Sequence, residues 1–300
     1  MLKRTFKIFA SFLALVFILT ACNMNVKTSS EKFQSASNEY NAKLKIHYID
    51  VGQGDSILVQ KNYSNMLIDT GTNDSTEKLI SYLKKQNIKK IDYLILTHPH
   101  EDHIGGADAV IKNFDIGKLY MPKVGTSTRT FKDVLMAMKN KNLKANEPQL
   151  MENFKLGDAS CVFYGPIDSE KKDLNTYSII LKLTYGNTKF LFTGDAQAQN
   201  ERAMISNGYD LSTDVLKLGH HGSRTSTTNE FLDKVNPKYA VVSCGKGNDY
   251  GHPHKQTVNK LKSRNIPLYR TDENGTIICT SDGKNIIFNC NPGDYRSGRR

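Results

Sequence analysis

Seven of the eight histidines in this 300-residue chain fall in three short clusters. His98, His100 and His103 stand in THPHEDHIGG, His220 and His221 in LGHHGS, and His252 and His254 in YGHPH. Random scatter or core filling would not produce that distribution. Imidazole is the commonest transition-metal ligand near neutral pH, and carboxylates complete borderline sites. His98 and His100 alternate just past an apolar run at residues 91–96, and Asp102 and His103 follow at once. A loop between strand and helix with that spacing can present two ligands to each of two nearby ions. The chemistry indicated is metal-assisted hydrolysis, in which divalent ions activate water and polarise the bond attacked. His/Asp sites accept zinc and manganese alike, with zinc the first expectation. His47, alone on an apolar stretch, reads as a surface or satisfied core residue, and His254 as an exposed loop residue.

Such ligands must sit where strands end, and the apolar pattern supplies those strands. Leu44, Ile46 and Tyr48 alternate with Lys45 and His47, as in a half-buried strand running into Asp50-Val51-Gly52-Gln53-Gly54-Asp55. Short runs follow at 56–59 and 65–68, the second closing on Asp69-Thr70-Gly71. Asp74 with Glu77 three residues on predicts a capped helix with Leu79, Ile80 and Leu83 inward. Residues 91–96 read as a buried strand, and Ile104, Ala107, Val110, Ile111 and Phe114 predict one helix. Further strands are expected near 119, 161–163, 178–183, 189–192 and 215–218, with helices over 131–138 and 197–206. The last third reads as helix 231–235, strand 239–243, helix 257–263, and strands near 268–270, 276–278 and 286–288. Early hairpins followed by mixed alternation predict an α/β (α+β) fold of packed sheets covered by helices. No linker divides residues 43–292, so one domain is expected there. A basic tail follows at 293–300, with 296–300 expected to be disordered.

Composition narrows the function classes. Apolar content of 38% without repeated long apolar runs excludes a polytopic membrane protein and a low-complexity chain alike. The net charge of +11 favours anionic partners. Residues 1–22 read MLKRTFKIFASFLALVFILTAC: three cations, then mostly apolar residues, then small ones, the layout of an export signal. Leu19-Thr20-Ala21-Cys22 resembles a bacterial lipoprotein box, which implies a signal peptide at 1–21 and diacylation of Cys22. Loss of Lys3, Arg4 and Lys7 leaves a mature charge of +8. Residues 22–42 are polar and Ser/Asn-rich, a flexible tether. The expected location is the outer face of the cell membrane, held by lipid. Cys161, Cys244, Cys279 and Cys290 permit disulfides in an exported chain, but their spacing matches no dense framework and buried free thiols fit equally.

The segment H-x-H-x-D-H with trailing Gly-Gly resembles the metal-binding signature of the metallo-β-lactamase superfamily. Leu67-Ile68-Asp69-Thr70-Gly71 looks like that superfamily's early strand-end aspartate. Phe192-Thr193-Gly194-Asp195 looks like its later Thr-Gly-Asp, whose aspartate bridges two metals in relatives. IDVGQGDSILV, ILTHPHEDHIGG, FLFTGD, VLKLGHHGS, GNDYGHPH and YRTDENGTI together resemble the hydrolase domain of ComEC-type DNA-uptake (competence) proteins. The resemblance implies an αββα sandwich, two mixed β-sheets flanked by helices, with a dinuclear site at one edge of the sheets. Two departures stand out. Many members place a third histidine between the first cluster and the bridging aspartate, where this chain has none and Asn175 occupies the stretch. One ion is then weakly held, or ligated by His220 or His221 instead. The 300 residues also lack a polytopic channel, so they do not by themselves translocate DNA.

These readings assign His98, His100, Asp102, His103, Asp195, His221 and His252 to two divalent ions. Asp102, His220 and His221 carry catalytic roles, with His220 or His221 protonating the departing oxygen. Asn175, Ser178, Ser223 and Tyr250 are expected to position substrate oxygens. A phosphodiester substrate, extracellular DNA first, agrees with both the resemblance and the basic charge. The alternatives are a phosphodiester of a surface polymer such as phosphocholine-decorated teichoic acid, or a lipid-anchored DNA-binding protein without turnover. No feature calls for an obligate protein partner.

Overall fold

The computed structural model describes residues 43–167 and 173–298. The residues expected to form an export signal and a tether, Cys22 among them, and Arg299 and Arg300 lie outside the described residues. Among the described residues no helix is long and apolar enough to cross a membrane.

The strands, in chain order, are β1 Leu44–Tyr48, β2 Ile57–Lys61, β3 Ser64–Ile68, β4 Lys90–Ile95, β5 Asp115–Tyr120 and β6 Ala145–Asn146. They continue with β7 Asn153–Leu156, β8 Ala159–Phe163, β9 Leu181–Tyr185, β10 Thr188–Phe192, β11 Val215–Lys217, β12 Tyr239–Val242 and β13 Leu268–Arg270. The last are β14 Ile277–Ser281 and β15 Ile286–Phe288. Among the described residues they form two sheets, ordered β15-β14-β1-β2-β3-β4-β5-β6 and β13-β12-β11-β10-β9-β8-β7. Each sheet is antiparallel over one half and parallel over the other: parallel pairing runs from β3 to β6 and from β10 to β13.

Parallel neighbours need crossovers, and helices supply them. In chain order these are α1 Thr76–Lys85, α2 Glu101–Ile104, α3 Ala107–Asn113 and α4 Arg129–Asn140 on the first sheet. On the second they are α5 Ala198–Ser206, α6 Asn229–Val235 and α7 Lys255–Ser263, with a single turn α8 at Thr271–Asn274. Strand alternation then sorts the side chains into three apolar layers. Ile46, Ile57, Val59, Phe163, Phe190 and Phe192 meet between the sheets. Leu58, Leu67 and Leu94 face outward onto Leu79, Val110 and Val134 of the helices. Leu191 and Leu216 face the opposite way onto Met204, Leu232 and Val258. Burying each such side chain contributes ~1.5–3 kcal/mol. The expected αββα sandwich is the structure observed. Its parallel halves matter most, because ligands collect outside the carboxyl ends of such strands.

Several expectations are corrected. The helix expected over 104–114 is two, α2 and α3, broken at Gly105-Gly106. A Cβ on Gly105 would lie 2.2 Å from the Asn73 nitrogen, so the glycine lets the 70–73 loop pass against the helix. Asp74 does not cap α1: Thr72 accepts from Ser75 N at 3.2 Å to open a short 3-10 turn that leads into the helix, and Asp74 lines a cleft. The strand expected from 178 begins at Leu181, because Ser178 is committed to Asp195 and Ile179 N donates to Thr97 O. The tail is not disordered through 298. Gly293 N donates to Leu268 O, Tyr295 Oη to Ile266 O and Gly298 N to Pro253 O, while the buried Arg270 guanidinium takes Asp294 and the Arg296 carbonyl. Cys161, Cys244, Cys279 and Cys290 are free thiols.

Candidate metal centre

The first sheet contributes a loop pinned from below. Asp69, just past β3, accepts from Thr97 N at 2.7 Å and from Thr97 Oγ1 at 2.6 Å. The His103 Nδ1 lies 2.7 Å from Asp69 Oδ2. Since a carboxylate only accepts, His103 carries its proton on Nδ1 and turns Nε2 outward, the outer-partner arrangement that orients metal-binding imidazoles. That Nε2 lies 3.2 Å from Asp195 Oδ1 and 3.9 Å from Asp102 Oδ2. His98 Nε2 stands 3.0 Å from His100 Nδ1 and 3.8 Å from Asp195 Oδ2.

The second sheet closes the ring. Asp195 follows β10, and its backbone N–H donates to Ser178 Oγ at 3.0 Å. His220 and His221 follow β11 in consecutive left-handed conformations, with φ of 47° and 53°. Left-handed backbone costs an L-residue roughly 1–2 kcal/mol, so this turn is held by its surroundings. His221 Nδ1 donates to Ser243 O at 3.0 Å, leaving Nε2 3.2 Å from Asp102 Oδ2 and 3.5 Å from Asp195 Oδ1. His220 Nε2 lies 3.7 Å from Asp195 Oδ2, on the side of His98.

Charge and burial are tightly balanced. Burial alone would raise the Asp195 carboxyl, yet His221 and His103 hold it well below the usual range. Burial likewise opposes protonated His221, but Asp195 first, then Asp102 and Asp55, push it up to about 10. His103 is held high by Asp195, Asp69 and Asp102 against the same penalty. His98, buried beside His103, is pushed down instead. Buried polar atoms ordinarily find partners. Here His103 Nε2 and Asp195 Oδ1 are buried and have no hydrogen-bond partner. Four candidate metal groups converge among the described residues: His98, His103 and Asp195; Asp102, His103 and His221; and two through Asp55, one with Asp195 and His221 and one with Asp69 and His103. Mixed imidazole and carboxylate donors of this kind suit divalent transition ions. The residues present fit a divalent metal site.

Above the donors lies a cleft of about 700 Å³ walled by Gln53, Asn175, His220, Tyr250 and His252. Asn175, where the third histidine was missing, is buried with its Oδ1 unpartnered. Tyr250 is exposed and its ring stacks on His252, 5.5 Å between centroids and 16° between planes.

The structure does not bring every expected residue to its expected task. Of the expected ligands, neither His100 nor His252 joins a candidate metal group among the described residues; His100 lines the cleft beside His98. His252 stands on the cleft wall, its Nδ1 3.4 Å from Gln53 Nε2. Ser178 is fully buried and serves Asp195 and His98 from beneath, while the buried Ser223 accepts from Thr225. Neither lines the cleft, because both hydroxyls are spent on fixing the ligand turns. His254 accepts from Arg224 N and faces Tyr250 O, fixing the loop between them. His47 is a core residue, bonded through Nδ1 to Tyr82 Oη.

Three supporting residues went unread in the sequence: Thr97, Ser243 and Lys217. Lys217 carried a signal, a lone cation inside Val215-Leu216-Lys217-Leu218, at a position that alternation turns to the inter-sheet layer with Val215.

Comparison with known proteins agrees with this geometry. The chain is 34% identical over 251 residues to ComE operon protein 3 of Bacillus subtilis, covering 78% of this chain and 32% of that one. It is 31% identical over 238 residues to competence protein ComA of Neisseria gonorrhoeae, covering 76% and 31%. The chain thus spans about a third of the length of these ComEC-type competence relatives. Among solved structures, the metallo-beta-lactamase fold protein YhfI from Bacillus subtilis superposes with a TM-score of 0.56 at 13% identity. That match covers 79% of this chain and 100% of YhfI and speaks to the fold. Residues 49–246, which include both aspartate-terminated strands and the first two histidine clusters, match the description Metallo-beta-lactamase superfamily, and the chain belongs to that family.

Proposed function

We propose that this chain is a phosphodiesterase acting on DNA at the outer face of the membrane, with two divalent ions, zinc or manganese, in the cleft. The observation that carries the reading is the division of donors about Asp195. His98 and His220 lie toward its Oδ2, with His100 beside His98, while Asp102, His103 and His221 gather on its Oδ1 side. His220 stands in for the absent third histidine of the first group. Two such ions, when bound, supply an activated water and neutralise charge on the phosphoryl oxygens.

The chain's own residues supply the rest. His221, its Nδ1 proton committed to Ser243, acts as a ligand rather than as the proton donor to the leaving group. His220 and His252 face the cleft, and burial lowers both, His252 to about 3. Near neutral pH the His252 ring on the wall is uncharged and can offer a ring N–H to a substrate oxygen. Asn175 offers amide contacts to substrate oxygens, and Tyr250 an exposed ring. The two competence relatives support DNA as the substrate, as does the mature charge of +8. Lipid attachment at Cys22 is part of the same proposal.

One observation favours a second phosphodiester. Asp74, Glu101 and Asp249 bring carboxylates to the same cleft that the Tyr250 ring lines. Acid and aromatic together suit a quaternary ammonium group, as on a phosphocholine-bearing surface polymer.

The deciding experiment is a substrate panel on the full chain with added zinc or manganese. It contains bis-p-nitrophenyl phosphate, DNA, RNA, a phosphocholine ester, a β-lactam and a lactone. Chelator-sensitive cleavage of DNA and bis-p-nitrophenyl phosphate is expected. Turnover confined to the lactam or lactone defeats the reading, as does tight, salt-dependent DNA binding with no turnover.

A further inference from the structure

Asp55 and Lys217 form a buried ion pair that the proposed chemistry does not use. Asp55 precedes β2, two residues before Ile57, and Lys217 ends β11, two residues after Val215. Ile57 and Val215 both face the inter-sheet core, so the pair closes that core at the edge where the metal donors lie. Lys217 is 0% exposed and Asp55 1%. The Lys217 Nζ donates to Asp55 Oδ2 at 2.8 Å and to Leu218 O at 3.0 Å. Two apolar residues would fill this volume at least as stably, since a buried pair's desolvation offsets most of its attraction. The pair therefore calls for a reason other than stability.

The second carboxylate oxygen supplies one. Asp55 Oδ1 is buried without a hydrogen-bond partner, and it lies 3.5 Å from His221 Nδ1. The Asp55 backbone is committed to the same centre: its N–H donates to Asp102 O at 3.1 Å and its carbonyl accepts from Gly71 N at 2.8 Å. The preceding Gly54, at φ +145°, allows that approach, for a Cβ there would stand 2.3 Å from Asp102 O. One residue thus touches the ligand loop of the first sheet through its backbone and the ligand turn of the second through its side chain.

We propose that Asp55, locked by Lys217, is the positioning residue that sets the His221 imidazole at the second metal subsite. Ser243 O takes the Nδ1 proton and fixes the tautomer. The Asp55 carboxylate behind the same nitrogen strengthens the ring as a donor at Nε2, as outer-sphere carboxylates do. Lys217 keeps that carboxylate ionised and in one orientation. This inference rests on the two-ion reading above.

The test titrates zinc and, separately, manganese into the metal-free full chain by calorimetry, comparing it with Asp55→Asn. The expected result is a 10–100-fold loss of affinity for one ion, with the other changed less than about threefold. Nitrogen NMR of the metal-free chains is expected to show a displaced His221 ring signal in the variant. If Asp55→Asn fails to fold, the double variant Asp55→Asn with Lys217→Met, which leaves no unpaired charge, is expected to show the same selective loss. Equal affinities for both ions in wild type and variant, or an equal fall for both, overturn the inference while leaving the two-ion reading intact. A wild-type chain that binds only one ion overturns both.

Discussion

His103 Nε2 and Asp195 Oδ1 lie 3.2 Å apart, both buried, neither with a hydrogen-bond partner. They come from opposite sheets, His103 beyond β4 and Asp195 beyond β10. The centre is therefore assembled across the seam of the sandwich, and its donors converge only when the inter-sheet core is formed. A divalent ion held by these two residues would satisfy both atoms.

Asp195→Ala removes the group that both donor sets share. Metal-dependent phosphodiester cleavage is expected to disappear, a larger loss than the roughly 10–100-fold typical of an outer partner. Steady-state rates with bis-p-nitrophenyl phosphate check it. Retained activity would sink the two-ion reading.

Asp69→Asn tests the support beneath His103. The amide keeps the volume but weakens the 2.7 Å contact that fixes the Nδ1 proton. Metal affinity is expected to fall by about 10–100-fold, measured by competition with a chelator of known affinity. An unchanged affinity shows that Thr97 and the loop alone hold the ring.

The histidine clusters and a fold of packed sheets under helices were legible because each is local or periodic, while the αββα order and the roles of Asp69 and Asp195 came through the family resemblance. Ligand spacing is written in consecutive residues, and Ile46, Ile57 and Val59 announce an inner face by alternation. What escaped depends on contacts between distant segments. Ser178 and Ser223 have the right chemistry for substrate, and only packing shows their hydroxyls turned to Asp195 N and Thr225 N. His252 has the right type as a ligand, and only the fold shows that it lies on the cleft wall. Asp74 has the right spacing for a cap, yet the Thr72 hydroxyl reaches the free N–H first. The Asp55–Lys217 pair joins residues 162 apart in sequence, a separation no motif records.

The raised imidazoles set a pH dependence. His221 rises from 6.5 to about 10 on folding, because Asp195 and the other carboxylates outweigh burial, and His103 moves the same way. A raised folded pKa contributes stability below the unfolded value that is lost as pH climbs through the folded one. The metal-free chain is therefore expected to lose stability between pH 6.5 and about 10. Metal needs the neutral rings, so its binding strengthens across that window and releases protons. Calorimetry in two buffers of different ionisation enthalpy reads the release directly. Identical heats in both buffers would show that no proton leaves.

His220→Gly separates strain from function. At φ 47° and ψ 50° the histidine occupies backbone that glycine adopts freely. Its Nε2 faces Asp195 Oδ2 at 3.7 Å, and its Nδ1 lies 3.1 Å from Thr225 Oγ1. If the side chain is there for the metal centre, its backbone strain is tolerated for that purpose. The metal-free variant is then expected to gain about 1 kcal/mol, raising the melting temperature by about 2–4 °C. The same change is expected to weaken one of the two ions and slow cleavage. A thermal melt without metal, followed by metal titration, reads both effects. A variant that melts lower and binds both ions as tightly as wild type would place His220 in the packing instead of the chemistry.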